Sequence, residues 1–360
     1  MKQSRPRSPQ HPSNSGQRPP ADCLIGEPWS RRKFLGGLAA WAVAMRGVAP
    51  LGAAVGGSTT TAPGQELLAY YAKPAAVDDG GAHRAFLAGL PSGLEALVSA
   101  IQGLVLHQFW APAYGETLTA ARHQEPHLRG VQDMLACLHD RTPLADAGAR
   151  APSARLVGVC RHFTLLMVAA LRAHGIPARA RCGFANYFAR GKFEDHWVAE
   201  CWSGRETRWR LVDAQLDGLQ RNKLGVDFDP LDVPRDRFVV GGRAWQMCRR
   251  GEASPEQFGL SFLKEYGIWF VANNLVRDLA ALNKVEMLPW DVWGAMMAPG
   301  GAIAPATETA FDEVAHYSLE PDGHFGALRE RYRTDARFTV PPAVTNAIRG
   351  TTENIPVIQE

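Results

Sequence analysis

Three residues have the types and spacing to do chemistry together: Cys160, His196 and Asp213. A thiol, an imidazole and a carboxylate are the parts of a nucleophilic acyl-transfer site. The imidazole takes the thiol proton, and the carboxylate fixes the imidazole tautomer and stabilises the imidazolium. Cys182 and Cys201 are the competing thiols, but both sit in the middle of β-like runs, where structural filling is the better reading.

These residues need particular elements to bring them together. Gly158-Val159-Cys160 opens the run Arg161 to Leu171, which predicts a helix ending at Gly175 with Pro177 just beyond. Cys160, Phe163, Met167, Leu171 and His174 share one face, so the thiol starts the helix and turns inward. Unpaired N–H groups there favour an anion, an expectation that the thiol pKa is depressed. The Cys160 N–H can also serve in an oxyanion hole. Gly158 is expected to leave room for a substrate backbone. His162 and His174, on the same helix, read as surface or capping residues.

Three strands are predicted next: Ala178 to Phe184, His196 to Trp202 and Trp209 to Ala214. A two-residue turn at Gly204-Arg205, or a four-residue loop from Ser203 to Glu206, pairs His196 directly with Asp213. Their Cβ atoms would then lie about 4.5–5.5 Å apart on one face. A loop one residue longer or shorter would put them on opposite faces. Glu194 and Asp195 stay open between solvated loop acids and a gate on the site.

Gly158-x-Cys160, the apolar helix, Leu171-Arg172-Ala173-x-Gly175-Ile176-Pro177-Ala178-Arg179, His196-Trp197 and the strand ending in Asp213 together resemble the bacterial transglutaminase-like superfamily, over roughly residues 150–220. The resemblance implies an α+β, papain-like core, with a Cys at a helix N-terminus packed on an antiparallel sheet and further helices on either side. It also implies that Cys160 is the nucleophile, His196 the general acid/base and Asp213 the orienting carboxylate. Gln108 and Trp110 are candidates for the second oxyanion donor, beside the alternative that their stretch is core packing. The activity implied is that of a thiol-dependent hydrolase or acyltransferase acting on a peptide or glutamine-like amide through a Cys thioester, with hydrolysis favoured over cross-linking. A catalytically silent fold that binds a peptide or glycan is the alternative. A third reading makes Cys160 a core thiol.

Bulk properties set the outer limits. The 360 residues are 46% hydrophobic and 21% charged, ordinary globular usage that supports a packed core. The net charge of +3 is uneven: the first fifty residues carry +6, leaving −3 for the remainder. No basic patch argues for nucleic acid. Six cysteines without a C-x-x-C pair exclude a disulfide scaffold and a cysteine zinc site. His123 and His127 are four apart, but Pro126 between them favours a solvated loop over a metal site. Nothing calls for a cofactor.

Residues 1–64 read as a basic leader and linker. Ser30-Arg31-Arg32-Lys33-Phe34-Leu35, followed by the short apolar stretch to Met45, is similar to a twin-arginine export signal. That stretch is too short to span a bilayer, so no stable membrane insertion of the mature chain is expected. Export to the periplasm or cell exterior is one reading, and a leader on a cytoplasmic enzyme the other. The fold is expected over 65–350, as one domain with its catalytic core at 150–220, followed by a frayed tail at 351–360. Ser92 with Glu95 reads as a capping box before a core helix, and Val131, Met134, Leu135 and Leu138 mark another. Asp227 to Asp232 reads as an acidic loop. Trp269, Ala272, Val276, Leu279 and Ala280 predict a long helix, and Met287 to Met297 reads as packing surface.

Overall fold

The computed structural model describes residues 64–144 and 149–355. The twin-arginine-like run and the apolar stretch behind it lie outside the described residues. The helices are α1 (Gln65–Ala72), α2 (Arg84–Ala88), α3 (Leu94–Leu104), α4 (Val131–Arg141), α5 (Cys160–Ala173), α6 (Gly218–Leu224), α7 (Gly241–Arg249), α8 (Ile268–Leu282), α9 (Pro305–Leu319) and α10 (Phe325–Thr334). The architecture is α+β. No helix among the described residues is long and apolar enough to cross a membrane.

Two short strands, β1 (Val105–His107) and β2 (Leu156–Gly158), pair in parallel and lead into α5. The main sheet is built on β3 (Ala178–Ala185) and β4 (Phe193–Ser203), an antiparallel pair. β6 (Phe238–Val240) joins the outer side of β3, while β5 (Arg208–Val212) and β7 (Phe258–Leu260) both pair with β4. β8 (Glu265–Tyr266) follows β7. A separate sheet joins β9 (Asp291–Val292), β10 (Ala343–Asn346) and β11 (Thr351–Asn354). The stretch from Thr351, expected to fray, is therefore strand as far as Asn354, because it pairs along the whole of β10.

α5 packs its apolar residues on one face of β3 and β4. Phe163, Met167, Ala180, Cys182, Trp197 and Ala199 belong to one buried cluster. The helix ends as the sequence predicts. Gly175 adopts a left-handed φ of 70°, its N–H reaches Arg172 O, and the Ile176 N–H reaches Leu171 O, the two bonds of a Schellman motif. The capping box at Ser92 does not form. Gly93 is the N-cap of α3, without a side-chain cap, so Glu95 falls one place too early. The segment holding His123 and His127 is a 3₁₀ helix, and His127 Nδ1 pairs with Asn346 at 2.9 Å.

The opposite face of the sheet is polar at its centre. Arg179 and Arg181 are buried and share Glu200, with Asp322 and Asp278 completing the ion pairs. Asp278 on α8 also accepts the Cys182 N–H at 2.9 Å, so the helix closes part of the β3 edge that no strand covers.

Candidate active site

The β1–β2 pairing sets the start of α5. It continues past the strands through the Gln108 N–H to Gly158 O at 2.9 Å, which sets Gln108 beside the turn into Cys160. Val159 is the extended N-cap residue, and its N–H donates to His162 Nδ1 at 3.2 Å. His162 is fully buried, and burial holds its imidazole well below the ordinary pKa, so it caps the helix as a neutral ring. Gly158 is explained by that ring, and not by a substrate backbone. A Cβ there would lie 2.8 Å from both Cβ and Cγ of His162.

Main-chain alternation explains how a helix residue meets the strand. The Trp202 N–H points to the β3 side of β4, donating to Pro177 O. N–H directions alternate along a strand, so that of Trp197 points to the other edge. On that edge β5 covers residues 199–203 and β7 covers 193–194, which leaves an opening between them. Cys160 occupies it. The Trp197 and Arg161 N–H groups hydrogen-bond its sulfur. Both act to lower the thiol pKa, but the net shift is not the depression expected. Burial, reinforced by the Asp195 carboxylate, pushes it well above the ordinary value. The helix terminus favours an anion, but desolvation of a residue only 6% exposed outweighs it.

His196 projects from the neighbouring position of β4. Its Nε2 pairs with Asp213 Oδ2 at 2.8 Å, and both side chains are buried. The register that achieves this differs from the expected one. Ser203 pairs with Arg208 and Ala199 with Val212, so the loop is Gly204 to Thr207. Thr207 takes the left-handed conformation that ends this loop, where the expected turn relied on Gly204. The pairing therefore shifts by two positions. Asp213, one residue past β5, comes level with Val198 when that register is continued, and so lies diagonal to His196. An even shift keeps both on one face, and a diagonal separation of about 7–8 Å between backbones suits the length of an imidazole plus a carboxylate.

Residues that the sequence did not single out complete the carboxylate's shell. The Tyr187 hydroxyl donates to the same Oδ2 at 2.6 Å, and the Gln215 N–H donates to Oδ1 at 3.0 Å. Gln215 follows Asp213 by two, the spacing of an Asx turn, in which the side chain accepts from the N–H two residues on. Tyr187 sits in the loop after β3, where nothing local marks it.

Cys160 and His196 line one cavity, together with His107, Gln108, Trp110, Asp195 and Gln215. Its remaining walls are mainly apolar, among them Phe109, Phe188, Phe262 and Trp290. Gln108 and Gln215 are 3% and 2% exposed; Gln108 Nε2 and Gln215 Oε1 have no hydrogen-bond partner among the described residues. Burial and the nearby His196 push His107 down to about 3, so this ring stays neutral. Glu194 and Asp195 are strand residues and not loop acids. Glu194 accepts from the Ser261 N–H at 3.0 Å, and Asp195 accepts from Asn274 at 2.7 Å. Burial raises the pKa of both carboxyls. Cys182 and Cys201 are buried on the sheet, and burial pushes Cys201 up to about 11. All five cysteines among the described residues are free.

Residues 131–214 match the model of the transglutaminase-like superfamily, a span that contains Cys160, His196 and Asp213. Among curated proteins, none matches the chain. Two solved structures resemble part of it. One is a protein of Cytophaga hutchinsonii provisionally assigned as a cysteine protease, 17% identical, covering 41% of this chain and 42% of that one with a TM-score of 0.28. The other is red sea bream transglutaminase, 16% identical, covering 41% of this chain and 30% of that one with a TM-score of 0.25. The chain thus spans less than half the length of either solved relative.

Proposed function

We propose that the transglutaminase-like core at residues 131–214 carries out thiol-dependent acyl transfer from an amide, with hydrolysis favoured over cross-linking. One observation carries the reading. His196, held by an Asp213 carboxylate that Tyr187 braces on the same oxygen, shares a cavity with the Cys160 thiol at a helix N-terminus.

Nε2 of His196 is engaged by Asp213, so Nδ1 is the nitrogen that takes the thiol proton. As the sulfur attacks, the S–C bond forms and the carbonyl π electrons move to oxygen. That oxyanion meets the Cys160 N–H, one of the first-turn donors without an intrahelical partner, and the unpartnered Gln108 Nε2. His196 then gives its proton to the leaving nitrogen, the C–N bond breaks and a thioester remains on Cys160. Water or an amine, deprotonated by the same imidazole, releases the acyl group and restores the thiol. The raised thiol pKa means that the resting site holds a neutral thiol. The proton therefore moves during the attack, and no standing thiolate precedes it.

That same raised pKa favours a second reading, a silent fold that binds a peptide or glycan in the cavity. A casein digest incubated with the protein, quenched in acid and read by mass distinguishes them. The catalytic reading predicts acyl adducts on Cys160 that vanish in Cys160→Ser. Peptide retention with no adduct at any pH supports the silent fold. Export of the folded chain, the reading of the twin-arginine-like run, is part of the same proposal, and five free cysteines are compatible with it.

A further inference from the structure

Asp217, just beyond the catalytic carboxylate, starts a chain of hydrogen bonds whose direction is fixed. A carboxylate only accepts, so the Tyr114 hydroxyl, 2.6 Å from Asp217 Oδ2, must donate to it. Burial, then the bond to Asp217, raises the Tyr114 pKa and keeps its proton in place. The Tyr114 oxygen is left to accept, and Gln220 Nε2 donates to it at 3.2 Å. That turns Gln220 Oε1 towards Gln215, whose Nε2 donates at 3.1 Å. A further bond, from the Gln220 N–H to Asp217 Oδ1 at 2.9 Å, holds the start of the relay.

Each link removes one of the two ways an amide could face. At the end of the chain the Gln215 amide has a single orientation, with its nitrogen used and its oxygen left over. That oxygen is buried, has no partner among the described residues, and belongs to a residue lining the cavity of Cys160 and His196. Gln108, on the same cavity, leaves a buried nitrogen unpartnered. A buried acceptor and a buried donor left unmet each carry a desolvation cost that a complementary ligand removes. A carboxamide is complementary to both. Its oxygen accepts from Gln108 Nε2 and its N–H donates to Gln215 Oε1. An ester or a fully substituted amide offers no N–H and leaves Gln215 Oε1 unpaired.

We propose that Gln215, oriented through Gln220 and Tyr114 by Asp217, reads the N–H of the acyl donor, so that the site selects primary and secondary amides over esters and tertiary amides. The proposal rests on the acyl-transfer reading for its substrate, but its test is separable. Site-specific alkylation of Cys160 is measured with iodoacetamide, N,N-dimethyl iodoacetamide and methyl iodoacetate, each rate divided by that of glutathione. The wild type is expected to favour iodoacetamide by about fivefold to tenfold, the worth of one hydrogen bond. Gln215→Met is expected to bring that preference within about twofold. Tyr114→Phe, which leaves Gln215 in place and frees the amides to turn, is expected to lower it as well. Equal preference in the wild type and both variants overturns the proposal, as does a wild type without preference. Labelling that is indifferent to His196→Ala but keeps the N–H preference sinks the catalytic reading and leaves this one standing.

Discussion

Asp213→Asn tests the orienting carboxylate, and its cost follows from a count of donors. Asp213 is 1% exposed and accepts three hydrogen bonds, from His196 and Tyr187 on Oδ2 and from the Gln215 N–H on Oδ1. Asparagine offers one oxygen. If that oxygen takes the Oδ2 place, the new NH2 faces the Gln215 N–H and leaves a buried donor unmet, costing about 1–3 kcal/mol. If it takes the Oδ1 place, the NH2 faces His196, whose Nε2 must then accept, so the ring proton moves to Nδ1. A ring with its proton on Nδ1 cannot take the thiol proton. In both arrangements the charge-assisted bond to His196 becomes a neutral one, roughly half as strong. The weakened bond, at about 1.4 kcal/mol once the imidazolium forms, amounts to roughly tenfold in rate, whereas the unpaired donor is present in resting and transition states alike and shows in stability instead. The assay is the second-order alkylation rate of Cys160 by iodoacetamide at neutral pH, read from the mass of its peptide, with urea unfolding alongside. A fall of roughly tenfold is expected, with about 1–3 kcal/mol of stability lost. A stability loss of that size with Cys160 reacting within threefold of wild type would refute the coupling of carboxylate to thiol.

Tyr187→Phe keeps the ring against Phe188 and His196 but removes the 2.6 Å bond to Asp213. Roughly a tenfold slower alkylation of Cys160 is expected, with a changed pH profile that a purely structural loss would not produce. Gly158→Ala drives a methyl group into the His162 ring and is expected to cost about 1–3 kcal/mol in urea unfolding. His162→Ala in the same background should recover part of it. Cys201 titrates at about 11 in the fold because of burial, above the ordinary thiol value. A pKa raised by folding gives stability that is complete below the unfolded value and drains away as pH climbs towards the folded one. Between about pH 8.5 and 10.5 this amounts to about 2 kcal/mol. Cys201→Ala should lose less stability over that range, and identical pH dependence in the two proteins would contradict the assignment.

The helix of the thiol and the three strands were legible because local rules and tertiary packing agree there. Gly175 had to be left-handed to end α5, and small residues alternating with arginine had to be strand. Faces were easier to read than register. His196 and Asp213 share a side under either pairing, but the loop runs on to Thr207, which takes a left-handed φ of 51° that a threonine does not advertise in the sequence. The thiol was misread for a similar reason. A helix N-terminus is visible in a sequence, whereas the burial that reverses its effect is a property of the whole fold. Distant partners were hidden altogether. Arg181 is matched by Asp278, and Tyr114 by Asp217, roughly a hundred residues away in each case. Ser92 with Glu95 matched a capping pattern, but the helix begins one residue later.

The claim that imidazole and carboxylate serve the thiol as one unit is tested most directly by a double-mutant cycle on the alkylation of Cys160, using His196→Ala, Asp213→Asn and their combination. Groups acting as a unit are not additive. Each single variant should slow Cys160 steeply, and Asp213→Asn should add almost nothing once His196 is gone. Two losses that multiply, or a His196→Ala protein whose Cys160 reacts as fast as wild type, would contradict the account.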